Sequence, residues 1–308
     1  FIRIILRHGR GVGLYGRCKA YFGTVEAQGK ETLHLHLLLW LEGHLSPQDL
    51  RDKISTSEFY KKKVLKWLES IIMTGFPSSN SEHLIYADRM TRVRHTDMGN
   101  PHPGTLMSPL ILQFTHTFWT EFQEDVTSLL YKYNWHEHQA TCWKYLKRGQ
   151  EKKDANCRLR MDGVTRSVSD VDPQTYAIQL RRLHPWLASY TDVVTFLLRC
   201  NMEIKFVGSG EAAKVFLYYV TDYITKPSLP VHAGMAALSY ALKKLSEKAE
   251  SGTISSAVSA VMTAVNSMMG RQEISHPQVM SYLIGGGDHY TSESFVTLQW
   301  GSILRFVE

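Results

Sequence analysis

Residues Leu33 to Leu41 read as a strand that is apolar at almost every position except two. Side chains alternate across a strand, so His34 and His36 share one face while Leu33, Leu35 and Leu37 share the other. The aliphatic face is expected to anchor this strand in a core. Cys18 to Ala27 reads as a second strand and Gln28 to Glu31 as the turn between the two, which predicts an antiparallel hairpin. Phe1 to Leu6 looks like the end of a helix, and Gly11 to Gly16 is a glycine-rich turn region. Ser46-Pro47-Gln48-Asp49-Leu50 has the order of a helix start, with a Ser cap, Pro in the first turn and an acid soon after. Phe59 to Met73 carries helical periodicity, and Pro77 to Pro109 reads as loop. Thr115 to Tyr133 mixes aromatic and polar residues without a clear period. Asn201 to Val207 predicts a strand and Gly208-Ser209-Gly210 a tight turn. Glu211 to Thr225 predicts a helix ended by Pro227. Gly234 to Met269 predicts two more helices, split near Ser251-Gly252. The chain shows no internal repeat and no low-complexity tract.

Composition adds bounds. The 308 residues are 44% hydrophobic and 21% charged, an ordinary globular balance with room for more than one substructure. The net charge of +6 tolerates a polyanionic partner without requiring one. The four cysteines (Cys18, Cys142, Cys157, Cys200) are spread along the whole length, which suits a reducing compartment rather than a disulfide scaffold. No apolar stretch is long enough to cross a bilayer and no secretory signal is visible, so no membrane partner is expected. The chain opens at Phe1 and reads as a fragment of something longer.

Three groups of residues carry candidate chemistry. His34 and His36 place two imidazoles side by side, either as metal ligands or as the polar face of a sheet. If the hairpin turns about Gly29-Lys30, a simple register puts Glu26 opposite His34 on that face, where it adds a hard oxygen donor suited to Mg²⁺ or Mn²⁺. A bulge in the turn would put Gln28 there instead. On the helix after Ser209, Tyr219 and Tyr223 stand four apart on one face, and Lys226 follows three later. They are either two nucleophiles beside a phosphate-binding cation, or part of the apolar stripe of Ala212, Val215 and Phe216. In the basic segment 131–175, His136, His138, Cys142 and Cys157 have a spacing that can close a tetrahedral structural Zn²⁺ site, although it is not that of a standard finger. Such a site would pin a basic loop against single-stranded DNA, with Tyr133, Trp135 and Trp143 as nearby stacking candidates.

A His-x-His strand followed by a helix with Tyr-x3-Tyr resembles the HUH endonucleases of the Rep class. The similarity is closer still to the Helitron transposase family. It is carried in order by Gly13-Leu14-Tyr15-Gly16, Tyr21-Phe22-Gly23-Thr24-Val25-Glu26-Ala27-Gln28-Gly29 and Leu33-His34-Leu35-His36. Further along it is carried by Arg199-Cys200-Asn201, Tyr219-Val220-Thr221-Asp222-Tyr223-Ile224-Thr225-Lys226, Tyr282-Leu283-Ile284-Gly285 and Asp288-His289-Tyr290-Thr291-Ser292. The resemblance implies metal-dependent nicking of single-stranded DNA and strand transfer through a 5′-phosphotyrosine intermediate, in rolling-circle transposition and in the nucleus. It implies one divalent cation on the histidine pair and Tyr219 and Tyr223 as nucleophiles. It also implies a preceding strand upstream of Phe1 and a helicase domain following this region in the full-length protein. No Walker-type phosphate loop occurs in these residues, so they are not expected to hydrolyse ATP.

The expected architecture is α+β, an HUH-endonuclease-like antiparallel sheet flanked by helices, with the histidine strand at its centre and the tyrosine helix packed across it. Residues 1–130 would form the first part of the nuclease core, 131–175 the Cys/His insert, 176–230 the second part of the core, and 231–308 a helical C-terminal region. A catalytically inactive single-stranded DNA-binding remnant, or an unrelated two-His metalloenzyme, would carry many of the same residues.

Overall fold

The computed structural model describes residues 1–28, 32–77, 116–159, 161–208, 218, 231–250, 257–270, 275–294 and 305–306. It is a mixed α+β structure with a small antiparallel sheet and several helices. The backbone divides into two compact units, Phe1–His44 with Phe216–Glu308, and Leu45–Val215. The Cys/His segment 131–175 lies inside the second.

In the first unit, strand β1 (Cys18–Gln28) runs antiparallel to β2 (Thr32–Leu41), the hairpin that the alternation predicted. Strands β3 (Asp170–Val171) and β4 (Ile178–Gln179) form a separate two-stranded ladder in the second unit, and a short strand β5 (His289–Thr291) pairs with the other edge of β1, through Phe22, Gly23 and Thr24. The strand order is therefore β2-β1-β5. Among the described residues β1 holds the centre, and the histidine strand stands at an edge rather than in the middle. The aliphatic face of β2 also departs from expectation. Leu33 and Leu35 are 44% and 43% exposed, while His34 and His36 on the opposite face are partly covered. Gly23 sits in a tight place, where a Cβ would lie 3.0 Å from both Leu35 Cδ1 and Leu37 Cδ1. Helices Val231–Glu250 and Ala257–Met269 pack against each other, in agreement with the two helices predicted there. Helix His276–Leu283 begins at a capping box on Ser275 and touches β1 and β2.

In the second unit, helix Pro47–Thr56 starts where the sequence signalled, with Ser46 Oγ accepting from the Asp49 backbone N–H at 3.2 Å. Ser57 caps helix Glu58–Ile71 in the same way through the Tyr60 N–H. Leu50 and Ile54 from the first helix and Leu65 from the second pack with Val171, backed by Phe206. A larger core gathers Phe76, Phe122, Val126, Leu130, Tyr131, Trp135, Leu187, Tyr190 and Phe196. Each such side chain contributes about 1.5–3 kcal/mol by leaving water.

Two sequence expectations fail here. Residues 116–129, read as lacking a period, form the helix His116–Leu129, followed by a π-turn over Leu130–Asn134. Asn201 to Val207 alternate between exposed and covered as a strand would, yet form no ladder among the described residues. They are held by isolated bonds instead, with the Ile204 N–H donating to Ser189 O and the Met202 N–H to Asn134 Oδ1.

Candidate functional site

The hairpin register brings the first set of candidate residues together. Glu26 pairs with His34, and Thr24 with His36, so all four share one face of the sheet. Gln28 lies opposite Thr32, so the register, regular from Ala20 to Gln28, puts Glu26 rather than Gln28 opposite His34. The two imidazole centroids are 4.7 Å apart, and Glu26 Oε1 approaches His36 Nε2 at 3.3 Å. The carboxylate and the imidazole of that contact are about a quarter exposed, at 29% and 20%. Two imidazoles and a carboxylate form a mixed nitrogen–oxygen donor set, which suits Mn²⁺ better than Mg²⁺. Tyr219, Tyr223 and Lys226 lie outside the described residues.

The second set is assembled completely. One ligand-capable atom from each of His136, His138, Cys142 and Cys157 falls in a cluster whose members all lie within 4.8 Å of one another, so the group can hold a metal ion. His136 Nε2 is its hub, 3.1 Å from His138 Nδ1, 3.6 Å from Cys142 Sγ and 3.5 Å from Cys157 Sγ. Local structure explains the convergence. The π-turn Leu130–Asn134 ends at Trp135, whose ring is buried in the main core, and the His136 N–H then donates to Trp186 O at 2.7 Å. Cys142 sits in a single 3₁₀ turn, Ala140–Trp143, and Cys157 directly follows another, Asp154–Asn156. The Arg158 N–H donates to Cys142 O and ties the two turns together. Both sulfurs are buried with Met161 against Trp143, Trp186 and Ala188.

The electrostatics at His136 favour ligation. Burial first, then electrostatic interaction with His138 and Arg182, lower the His136 pKa from its ordinary 6.5 and keep the imidazole in its neutral, ligating form. Burial acts the other way on Cys142, raising its pKa and disfavouring the thiolate until a cation is there to offset it. His138 Nε2 lies 3.1 Å from Asp154 Oδ1. With a carboxylate oxygen as the acceptor, Nε2–H donates and Nδ1 turns its lone pair toward the cluster. Asp154 is a residue that the sequence reading missed. Its only signal was a carboxylate three positions before Cys157.

The stacking candidates separate clearly. Trp135 is 9% exposed and belongs to the core, and Trp143 lies against the His138 ring at 4.9 Å. Tyr133 is 39% exposed, whereas Tyr145, not singled out by sequence, is 70% exposed with Lys144 and Arg158 near its ring. All four cysteines are free thiols, and among the described residues no helix is long and apolar enough to cross a membrane. Comparisons with family models, curated proteins and solved structures find no match to this chain.

Proposed function

We propose that this chain is a divalent-metal-dependent nickase and strand transferase acting on single-stranded DNA, of the Rep/HUH kind and similar to Helitron transposases. The observation that supports it most directly is the convergence of Glu26 on the histidine pair. The carboxylate sits opposite His34 and 3.3 Å from His36 on one sheet face. A bound Mn²⁺ or Mg²⁺ would neutralise charge on the scissile phosphate. Tyr219 is assigned the first attack, in which its phenol oxygen forms a bond to phosphorus. The P–O3′ bond breaks, and the phenol proton leaves as the 3′ oxygen gains one. Tyr223 is assigned the second transfer, and Lys226 neutralises the phosphate or the departing phenolate. The phosphodiester energy is conserved in the phosphotyrosine link, so religation needs no ATP.

The second centre belongs to the same reading as a structural Zn²⁺ site. Tetrahedral zinc with ordinary bond lengths separates nitrogen from sulfur by about 3.6 Å and nitrogen from nitrogen by about 3.3 Å. The His136 contacts of 3.5, 3.6 and 3.1 Å fall close to those values. Zinc there would hold the basic loop in one conformation for contact with the DNA backbone.

The test is covalent capture. The chain is incubated with a random-sequence single-stranded oligonucleotide pool and Mn²⁺, then run on a denaturing gel. A slow-migrating adduct that needs metal and vanishes in Tyr219→Phe is the expected result. Binding without an adduct under every metal condition would point to a non-catalytic DNA-binding remnant. Cleavage that survives both Tyr219→Phe and Tyr223→Phe would point to an unrelated two-His metalloenzyme.

A further inference from the structure

The sheet that presents His34, His36 and Glu26 has a third strand, and its first residue is a histidine. β5 pairs with β1 so that His289 stands directly across from Thr24, and Thr24 stands directly across from His36. Residues opposite one another in an antiparallel pair point to the same side. His36, Thr24 and His289 therefore form one row on the face that also carries Glu26 and His34. Thr24 in the middle of that row is short, so the imidazoles on either side can lean over it. Adjacent strands lie about 4.8 Å apart and residues about 3.4 Å apart along a strand. A point above β1 midway between Thr24 and Glu26 is thus about 6 Å, measured in the plane of the sheet, from the Cα atoms of His34, His36 and His289 alike. An imidazole side chain with a metal–nitrogen bond of about 2.1 Å spans such a distance.

The surroundings of His289 are those of a metal ligand. Its Nδ1 lies 2.7 Å from Asp288 Oδ1. A carboxylate oxygen accepts, so Nδ1–H is the donor of this contact. The tautomer is thereby fixed with the lone pair on Nε2. Metal-ligating histidines commonly have this arrangement, in which a carboxylate holds the far nitrogen and orients the ring. The strand itself is set by backbone and side-chain bonds, with the Val25 N–H donating to Asp288 O at 2.7 Å and the Tyr21 N–H to Ser292 Oγ at 3.0 Å. Tyr282 and Asp288 together form a brace that reaches from helix His276–Leu283 to the ligand position.

We propose that His289 is a further ligand of the cation held by His34, His36 and Glu26, oriented by Asp288 with Tyr282 behind it. This rests on the metal-site part of the reading above, and it changes the class of cation. Three imidazoles and one carboxylate select Mn²⁺, Fe²⁺, Co²⁺ or Zn²⁺ over Mg²⁺. It also makes the site discontinuous, since the last ligand arrives from a strand that begins 248 residues after the hairpin ends.

The experiment reads metal binding and needs no DNA. The full chain, with its Cys/His cluster first saturated with Zn²⁺, is titrated with Mn²⁺ and followed by electron paramagnetic resonance. Electron spin echo modulation then reports the imidazole nitrogens bound to the ion. The expected result is three coordinated imidazoles in the parent chain, two in His289→Ala, and a Mn²⁺ affinity lowered at least tenfold. Asp288→Asn keeps all three but weakens binding about tenfold, as loss of an orienting partner does. His289 is 58% exposed, so its replacement leaves the fold intact, which circular dichroism checks. A His289→Ala chain that binds Mn²⁺ like the parent, while His36→Ala does not, overturns the assignment. So does a parent chain with no Mn²⁺ signal from imidazole nitrogen. Three coordinated imidazoles in a chain that captures no DNA would sustain this inference and refute the nickase.

Discussion

Stripping the metal from the His136, His138, Cys142 and Cys157 cluster should lower the melting temperature of the Leu45–Val215 unit by about 5–11 °C. A ligand that binds only the folded state at one hundred times its dissociation constant stabilises it by about 2.7 kcal/mol. The unit has roughly 170 residues, and for that size each kcal/mol moves the midpoint by about 2–4 °C. The structure says why the loss should be felt globally. The two sulfurs and Met161 form a small core with Trp143, Trp186 and Ala188, and Trp186 O also receives the His136 N–H. Without the ion, only that packing and a few turn hydrogen bonds hold the segment. The assay is differential scanning calorimetry on the zinc-saturated and chelator-treated chain, with zinc content measured in parallel. Cobalt substitution should give the absorption of a tetrahedral thiolate site. Cys157→Ser should remove both the cobalt spectrum and the chelator-induced shift. A chelator that extracts one zinc per chain and leaves the midpoint unmoved would refute the stabilising role. A Cys157→Ser chain that keeps stoichiometric zinc would refute the ligand set.

Other consequences are open to equally direct measurement. In the metal-free chain the lowered His136 pKa makes stability pH-dependent. The unfolded state takes up the proton first, so stability present above pH 6.5 is lost as pH falls below that value, and His136→Gln should flatten this part of the urea-midpoint profile. Leu130, fully buried in the main core, should cost about 2–5 kcal/mol when changed to Ala, read as a lower denaturant midpoint at unchanged slope. Tyr190→Phe should cost about 1–3 kcal/mol, because the buried Tyr190 hydroxyl donates to Gly75 O at 2.6 Å and its removal strands that carbonyl. Gly23→Ala would push a methyl to 3.2 Å from His36 O and into Leu35 and Leu37, and should weaken Mn²⁺ binding without removing any donor.

The hairpin and its register were legible because a period of two and a short turn leave few alternatives. Alternation and the turn alone place Glu26 opposite His34. The caps at Ser46 and Ser57 follow from local chemistry in the same way, although only the first had been singled out. The Cys/His ligands were legible from residue type and spacing, but their orienting carboxylate Asp154 was not, since nothing distinguishes it from other exposed acids along the chain. Helix His116–Leu129 was hidden by its own composition. Phe122, Val126 and Leu129 do form a helical stripe, but Trp119 on the outer side is 62% exposed and blurs the contrast. The exposed Leu33 and Leu35 mislead in the opposite sense, because the leucine face was assumed to be the buried one. Least legible was β5, three residues with no strand-like run of their own, whose partner lies far upstream.

That distant partner has a consequence for how the molecule comes into being. The Tyr21–Ser292 bond closes a loop of 271 residues, so a nascent chain leaving the ribosome carries the hairpin without its β5 partner until that stretch has been made. Any expressed length that stops short of Asp288 would be born with that flank bare. Such truncations should precipitate or recruit chaperones, while a version extended through Ser292 should not.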